Sequence, residues 1–272
     1  MDLSARVRVG KTELFAPRLG VGTAPLGNMF QAHSDAEADA VLSVAVTRGL
    51  RYFDTAPLYG HGLAEGRVGR AVAGLARDEV VVSTKVGRLL RADAPRDESQ
   101  FYEGEPFYKD VPPVGPVWDF SYDGVMTSVE ESRRRTGLGR FDVLLLHDPD
   151  DHFESASTTG FQALADLRAS GSVSAIGAGM NQAPMLARLV EACDFDVVLL
   201  AGRYTLFDQV AMDELLPLCD QRTVSVVVGG VFNSGILIDP SPGARYNYVP
   251  ASDADLARAQ RIKSVCDRYD VS

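Results

Sequence analysis

Seven short apolar runs recur along the chain, and segments of helical periodicity separate them. Several runs are apolar at every position, as strands must be when both faces of a sheet are covered. Strand, helix and strand in this rhythm indicate parallel βαβ units. A length of 272 residues suits one such barrel. The runs are residues 18–23, 51–54, 80–85, 141–147, 173–178, 196–200 and 224–228.

Two parts of the chain lie outside this repeat. Residues 6–15 alternate around a Gly-Lys turn, which predicts a short β-hairpin. Residues 252–268 have a helical pattern, and no eighth strand follows, although a parallel barrel needs one to close. We therefore expect an α/β fold, a (β/α)8 TIM barrel with an N-terminal β-hairpin, lacking the final strand and C-terminal segment in this chain. Residues 1–272 are expected to form a single domain, truncated at its C-terminus.

Polar residues and glycines mark the ends of the predicted helices. Ser34 and Glu37 have the spacing of a capping box, and Ser121 stands at the N-cap of a later helix. Gly137 and Gly171 stand where periodic segments stop, as glycine does when a helix ends in a left-handed residue. The helices between the apolar runs are therefore bounded by recognisable signals.

The composition argues against several kinds of partner. The formal net charge is −10, whereas nucleic acids select basic surfaces. The sequence has no run of about eighteen apolar residues, the length that a membrane-spanning helix needs, and residues 1–10 do not resemble a signal peptide. Three widely spaced cysteines favour a reducing compartment. We expect a cytoplasmic protein that binds neither nucleic acid nor membrane, and the composition leaves its oligomeric state open.

The connection from residue 88 to residue 120 is long and has no periodic pattern. It carries five prolines and several aromatic residues, among them the only tryptophan, Trp118. Long structureless connections in compact domains are often lids or binding loops. Packing of these rings on the barrel rim and contact with a substrate are equally supported interpretations.

Four ionisable residues fall where a barrel carries its chemistry, at the carboxyl ends of strands or in the loops that follow. Asp54, Lys85 and His147 each end an apolar run, and Tyr59 follows Asp54 by five residues. A lysine at the end of a buried strand is costly unless it is paired. Together, these four residue types form an arrangement that can transfer a proton to or from a substrate oxygen. An aspartate orients the ammonium, the ammonium lowers the pKa of the phenol, and the histidine hydrogen-bonds the substrate oxygen.

Other interpretations of these residues remain open when each is considered alone. His147 could be a core histidine, and Lys85 could form a Schiff base in an aldolase. His147 and Asp148 could be a metal-ligand pair, but no third ligand supports one, and no metal is expected. The loop histidines His61 and His152 are interpreted as solvated.

The motifs around these residues resemble those of the aldo-keto reductase family. The segment FDTAPLYG at residues 53–60 is similar to the family's second-strand signature, and STK at residues 83–85 is similar to its lysine motif. Leu146-His147 resembles the histidine motif, and LGVGT at residues 19–23 the first strand. The resemblance runs from about residue 17 to the end. It implies a catalytic tetrad of Asp54, Tyr59, Lys85 and His147.

The resemblance also implies a nicotinamide cofactor, NAD or NADP, which this family binds without a Rossmann fingerprint. Gly22 and Thr23 would line the cofactor cleft, and Asn181 would grip the nicotinamide amide. Residues 229–235 occupy the position of the loop that covers the pyrophosphate in relatives. Many relatives stack a tyrosine on the nicotinamide where this chain has glycine, so Phe232 is the candidate partner. The expected cofactor contacts in this loop are Gly230, Phe232, Asn233 and Ser234.

Within the family, residues 24–30, 59–62 and 232–237 resemble one branch. It contains L-fucose or D-threo-aldose 1-dehydrogenases and pyridoxal 4-dehydrogenases, which oxidise a cyclic hemiacetal to a lactone. The resemblance implies an NAD(P)-dependent oxidoreductase that oxidises an aldose hemiacetal of the L-fucose or D-threo-aldose type to a lactone. Pyridoxal oxidation and general aldehyde or ketone reduction are the alternatives within this class. A Schiff-base aldolase and an inactive or regulatory barrel module are the alternatives outside it.

Overall fold

The computed structural model of the chain describes residues 5–271, and a seven-stranded parallel sheet is its centre. The strands lie in chain order across the sheet, and all their pairings are parallel. All seven strands predicted from the apolar runs are confirmed. Their bounds are Val21–Gly22 (β1), Tyr52–Asp54 (β2), Val81–Val86 (β3), Val143–His147 (β4), Ala175–Met180 (β5), Val197–Ala201 (β6) and Ser225–Gly229 (β7).

A helix follows each strand, as parallel neighbours require. The Ser34 capping box is present, the Ser121 side chain accepts a hydrogen bond from Gly124 N, and Gly137 ends its helix with φ of 70°. The predicted helix boundaries are therefore confirmed at these positions. The helices are Asp35–Thr47 (α1), Leu63–Val72 (α2), Tyr122–Thr136 (α3), Phe161–Ala169 (α4), Ala183–Ala192 (α5), Leu215–Arg222 (α6) and Asp253–Arg268 (α7).

The predicted hairpin precedes the sheet and covers its amino-terminal end. Residues Arg6–Arg8 pair antiparallel with Phe15–Pro17. Val9 and Ala16 are buried in one cluster with inward-facing strand residues such as Val143. Burial of apolar surface there closes this end of the barrel. The opposite end, where the strands finish, is left for polar side chains.

The main core lies between the sheet and its helices. Residues on the outer faces of the strands, such as Phe53 and Ile176, join helix residues such as Leu42 and Leu186 in one buried cluster. Strands β3, β4 and β5 are buried at every position. This is the burial that the continuously apolar runs predict. In residues 5–271, β1 and β7 are the outermost strands of the sheet, and no eighth barrel strand is present.

The expectation of a structureless connection between β3 and α3 is wrong. Residues Arg88–Arg91 pair antiparallel with Gly115–Trp118, and Phe101–Tyr102 pair with Glu105–Pro106. These ladders are too short to give a periodic pattern, which is why the sequence did not indicate them. A further short pair, Arg245–Tyr246 with Val249–Pro250, lies between β7 and α7.

Among residues 5–271, no helix is both long enough and apolar enough to cross a bilayer.

Candidate active site

The structure brings the four predicted catalytic residues together at the carboxyl end of the sheet. Asp54 ends β2, Lys85 is the penultimate residue of β3, and His147 ends β4. Tyr59 lies in the connection between β2 and α2. Because β2, β3 and β4 are neighbours, their last residues meet at one edge of the sheet. Topology therefore places these side chains side by side.

A buried ion pair joins Lys85 and Asp54. The Lys85 Nζ lies 2.7 Å from Asp54 Oδ2 and donates a second hydrogen bond of 3.0 Å to the carbonyl oxygen of Thr55. The lysine side chain is 1% exposed. Ser83 donates to the other carboxylate oxygen of Asp54 at 2.7 Å. Partners on both sides fix the orientation of the ammonium and satisfy its charge.

Tyr59 lies against this pair and against His147. The Lys85 Nζ is 4.5 Å from the centroid of the Tyr59 ring. The imidazole of His147 packs edge to face on the same ring, with centroids 5.8 Å apart and an interplanar angle of 87°. Gly60, with φ of 65°, forms the turn that follows Tyr59. The phenol is thus held by two neighbouring side chains and by a tight turn.

The pKa of the Tyr59 phenol is raised well above its ordinary value of 10. Burial is the main cause, and the negative charge of Asp54 adds to it, while the guanidinium of Arg88 acts in the opposite direction. The expectation that the neighbouring Lys85 ammonium lowers the pKa of the Tyr59 phenol toward neutral pH is therefore wrong. Asp54 offsets the Lys85 charge, and burial then dominates. At neutral pH Tyr59 is a protonated hydrogen-bond donor.

His147 is held neutral. Burial lowers the pKa of its imidazole well below 6.5, and the positive charges of Arg88 and Lys85 lower it further. Its Nε2 is 3.6 Å from Asp148 Oδ2. Its Nδ1 is buried and has no hydrogen-bond partner among residues 5–271. A neutral imidazole has one donor and one acceptor nitrogen, and Nε2 is the one that is not buried.

A cavity of about 390 Å³ opens beside these residues, a size that suits a small ligand. Loops that follow all seven strands contribute to its walls, as in other barrels of this kind. The 88–120 connection also contributes, so its aromatic residues both pack on the rim and face the cavity. The lining residues include Met29, Tyr59, Lys85, Arg88, Phe107, Tyr108, His147, Asp148, Asp150, Asn181, Gln182, Arg203, Asn247 and Tyr248.

The predicted cofactor residues outside the 229–235 loop differ in whether they face the cavity. Asn181 lines the cavity, and its Nδ2 makes one long contact of 3.5 Å with the Tyr248 hydroxyl. Thr23 is buried, and its hydroxyl donates to the backbone carbonyl of Asp54 at 2.9 Å. Gly22 is exposed, and an added Cβ would meet no atom within 4 Å. Thr23 supports the strand end, whereas Asn181 faces the cavity directly.

The 229–235 loop lies outside the cavity wall. Asn233 donates to the carbonyl oxygen of Gly202 at 2.9 Å, and Ser234 Oγ accepts from Tyr248 N at 3.1 Å. Phe232 is 55% exposed and does not line the cavity. The cavity therefore holds Tyr248, and not Phe232, as the aromatic residue beside Asn181.

The residues of this loop fit a phosphate-bearing cofactor. Gly230, Asn233 and Ser234 all have positive φ, between 49° and 60°, and turns of this kind direct backbone N–H groups toward anions. The Oδ1 atom of Asn233 is buried and has no donor among residues 5–271, so it would accept from a hydroxyl of the cofactor and would not bind its phosphates. Together with the amide of Asn181, this loop could hold a nicotinamide dinucleotide along the β5–β7 side of the barrel.

Several cavity residues were not identified from the sequence. Arg88 and Asp148 follow Lys85 and His147 closely in the chain, and this spacing was the signal available for them. Tyr248 lies in a segment without periodic pattern, and nothing local marks it. His61 is also half-buried, 6.1 Å from the Tyr108 ring, and burial lowers its pKa. The interpretation of His61 as solvated is therefore wrong. His152 is likewise half-buried, between Trp118 and Phe120.

Residues 5–271 contain no group of three or more histidine, cysteine, aspartate or glutamate side chains arranged to hold a metal ion.

Comparison with known proteins agrees with this geometry. The aldo/keto reductase family profile matches residues 18–272. The chain is 44% identical over 262 residues to a D-threo-aldose 1-dehydrogenase from Pseudomonas sp., covering 95% of this chain and 79% of that protein. It is 38% identical over 293 residues to a pyridoxal 4-dehydrogenase from Microbacterium luteolum, covering 100% of this chain and 83% of that protein.

Solved structures show the same fold. A glycerol dehydrogenase from Gluconobacter oxydans superposes with a TM-score of 0.70 at 20% identity, covering 98% of this chain and 79% of that one. An aldo-keto reductase from Bacillus halodurans, in its holo form, gives a TM-score of 0.69 at 23% identity, covering 95% and 76%. Sequence match, fold and strand-end residues agree, and the chain belongs to the aldo/keto reductase family.

Proposed function

We propose that this chain is an NAD(P)-dependent dehydrogenase that oxidises the hemiacetal carbon of an aldose to a lactone. The observation that carries the proposal is the meeting of Tyr59, Lys85 and His147 at one cavity, with Lys85 held 2.7 Å from Asp54. Family membership and the 44% identity to a D-threo-aldose 1-dehydrogenase support the aldose as substrate class.

The residues divide the work of moving a proton. Tyr59 takes the proton of the hemiacetal hydroxyl during oxidation and returns it during reduction, a contribution of roughly 10²–10⁴-fold. The neutral imidazole of His147 hydrogen-bonds the same oxygen and orients it. Lys85 packs against the Tyr59 ring, and Asp54 holds the lysine ammonium in that position. A bound nicotinamide supplies the hydride acceptor.

The cofactor has a natural place on the other side of the cavity. Asn181 would hold the carboxamide of the nicotinamide, and the loop of Gly230, Asn233 and Ser234 would hold the phosphates. Thr23 supports this arrangement indirectly, because it fixes the backbone of Asp54. The choice between NAD and NADP is part of the test below.

The structure disfavours the aldolase interpretation of Lys85. A Schiff-base lysine must present a neutral amine to its substrate. Here the ammonium is bound by Asp54 and by the carbonyl of Thr55, and the side chain is almost completely buried. Pyridoxal oxidation is the second candidate, because the pyridoxal 4-dehydrogenase of Microbacterium luteolum is 38% identical over the whole chain.

The test is growth of absorbance at the reduced-nicotinamide band. The chain is mixed with NAD⁺ or NADP⁺ and with L-fucose, D-arabinose, L-galactose, pyridoxal or a simple alcohol. Signal with an aldose supports the proposal and identifies the cofactor. Signal with pyridoxal alone supports the second candidate. No change in absorbance with any pair of cofactor and substrate would contradict both candidates and favour a non-catalytic barrel. Borohydride trapping of a substrate adduct on Lys85 would instead support the aldolase interpretation.

A further inference from the structure

Arg88 and Asp148 form a second ion pair in the cavity wall, separate from that of Lys85 and Asp54. The guanidinium Nη2 of Arg88 lies 2.6 Å from Asp148 Oδ2, and both residues line the cavity. The arginine side chain is 6% exposed, and that of Asp148 is 26% exposed. The planar guanidinium also lies over the Trp118 ring, 4.9 Å from its centroid. This packing holds the arginine in one orientation.

The pair retains unused hydrogen-bonding capacity. Among residues 5–271 Arg88 donates one hydrogen bond, to Asp148, and its buried Nε has no partner. An arginine has five N–H donors, and an ionised carboxylate accepts on both oxygens. A buried ion pair with unsatisfied hydrogen-bonding groups contributes little to the stability of the fold, because the cost of desolvation offsets much of its attraction. A polar ligand in the cavity would supply partners for the remaining donors of the Arg88 Nη atoms and for the free carboxylate oxygen of Asp148, whereas the buried Nε stays out of its reach.

The position of the pair indicates which part of a ligand it faces. Asp148 directly follows His147, and its Oδ2 lies 3.6 Å from the His147 imidazole. Arg88 follows β3 and Asp148 follows β4, whereas Asn181, Arg203 and Tyr248 follow β5, β6 and β7. The pair therefore lies beside His147, and so next to the proposed position of the reacting oxygen, at the part of the cavity wall formed by the β3 and β4 loops.

We propose that Arg88 and Asp148 together bind the hydroxyl on the carbon next to the reacting carbon of the aldose. A hydroxyl accepts one hydrogen bond and donates another, so it can accept from Arg88 while it donates to Asp148. A site built this way selects against a sugar that lacks this hydroxyl, because the analogue leaves both charged groups without a partner. The inference rests on the proposed aldose oxidation and names a specificity-determining pair for it.

The test compares two matched pairs of sugars. D-arabinose and 2-deoxy-D-ribose differ in the hydroxyl next to the reacting carbon, whereas L-galactose and L-fucose differ in a hydroxyl at the far end of the molecule. The ratio of kcat/KM within each pair is measured for the native chain and for the Arg88→Met and Asp148→Asn variants. Each ratio comes from one preparation, so a fraction of misfolded protein cancels. Arg91→Met and Asp151→Asn are matched controls outside the cavity.

The expected result is a native preference for D-arabinose over 2-deoxy-D-ribose of at least about tenfold. Arg88→Met and Asp148→Asn should reduce that ratio to about threefold or less and leave the ratio of L-galactose to L-fucose unchanged. The control variants should keep both native ratios. A native ratio near one, or a native ratio kept by both cavity variants, would overturn the inference while aldose oxidation stands. Absence of turnover with any aldose by the native chain would instead remove the proposed function, and the inference with it.

Discussion

The ammonium of Lys85 lies 2.7 Å from the carboxylate of Asp54, and the lysine side chain is 1% exposed. Removal of one member of a buried pair leaves an uncompensated charge, at a cost of about 3–5 kcal/mol. We therefore expect Asp54→Asn to lower the free energy of unfolding by about this amount, as measured by urea denaturation.

The Lys85→Met, Asp54→Asn double variant provides the control for this prediction. It removes both charges, so a substantial part of the lost stability should return. Asp267→Asn removes a member of the exposed pair that Asp267 makes with Lys263 and should change stability little. Equal effects of Asp54→Asn and Asp267→Asn would show that the buried pair has no special weight.

The hydroxyl of Tyr59 is expected to be essential for turnover and dispensable for folding. Tyr59→Phe keeps the ring between Lys85 and His147 and removes only the proton-transferring group. We expect kcat to fall by roughly 10²–10⁴-fold and the affinity for NAD(P), measured by fluorescence titration, to stay near the native value. Tyr122→Phe, on α3, is the matched control. A Tyr59→Phe variant with full rate would show that another group transfers the proton.

The raised pKa of Tyr59 predicts opposite pH dependences for the two directions of reaction. Oxidation requires the phenolate, and below the pKa the phenolate fraction increases about tenfold per pH unit. The kcat/KM for aldose oxidation should therefore rise steadily from about pH 7 to about pH 9, whereas that for carbonyl reduction should stay flat. Initial rates in buffers of constant ionic strength give both profiles. An oxidation profile that is already level near neutral pH would contradict the direction of this pKa shift.

The strands and the four clustered residues could be predicted because their signals are local. A strand covered on both faces must be apolar throughout, and a polar residue at its last position must point to the carboxyl end of the barrel. Asp54, Lys85 and His147 each have this pattern. Once the strand order is sequential, the meeting of their side chains follows from topology alone.

The electrostatics and much of the cavity wall could not be predicted. The direction of the Tyr59 pKa shift depends on burial and on the pairing of Lys85 with Asp54, which are tertiary properties. Tyr248 lines the cavity from the turn between two short antiparallel strands, and strands of two residues give no periodic signal in the sequence. Phe232 is exposed and lies outside the cavity wall, so its contact with the nicotinamide stays a prediction, whereas Tyr248 lies beside Asn181.

Gly27 and Gly60 pack backbone to backbone, and this contact places Tyr59. A Cβ added at Gly27 would lie 2.5 Å from both Gly60 N and the carbonyl carbon of Tyr59, a distance that real side chains do not reach. We expect Gly27→Ala to displace the Tyr59 turn, with a loss of about 1–3 kcal/mol of stability and a larger proportional loss of kcat than of cofactor affinity. Gly74→Ala, where an added Cβ meets no atom within 4 Å, is the control and should keep native activity. Thermal denaturation and steady-state rates measure both effects, and native kcat in Gly27→Ala would show that the turn adapts without moving the phenol.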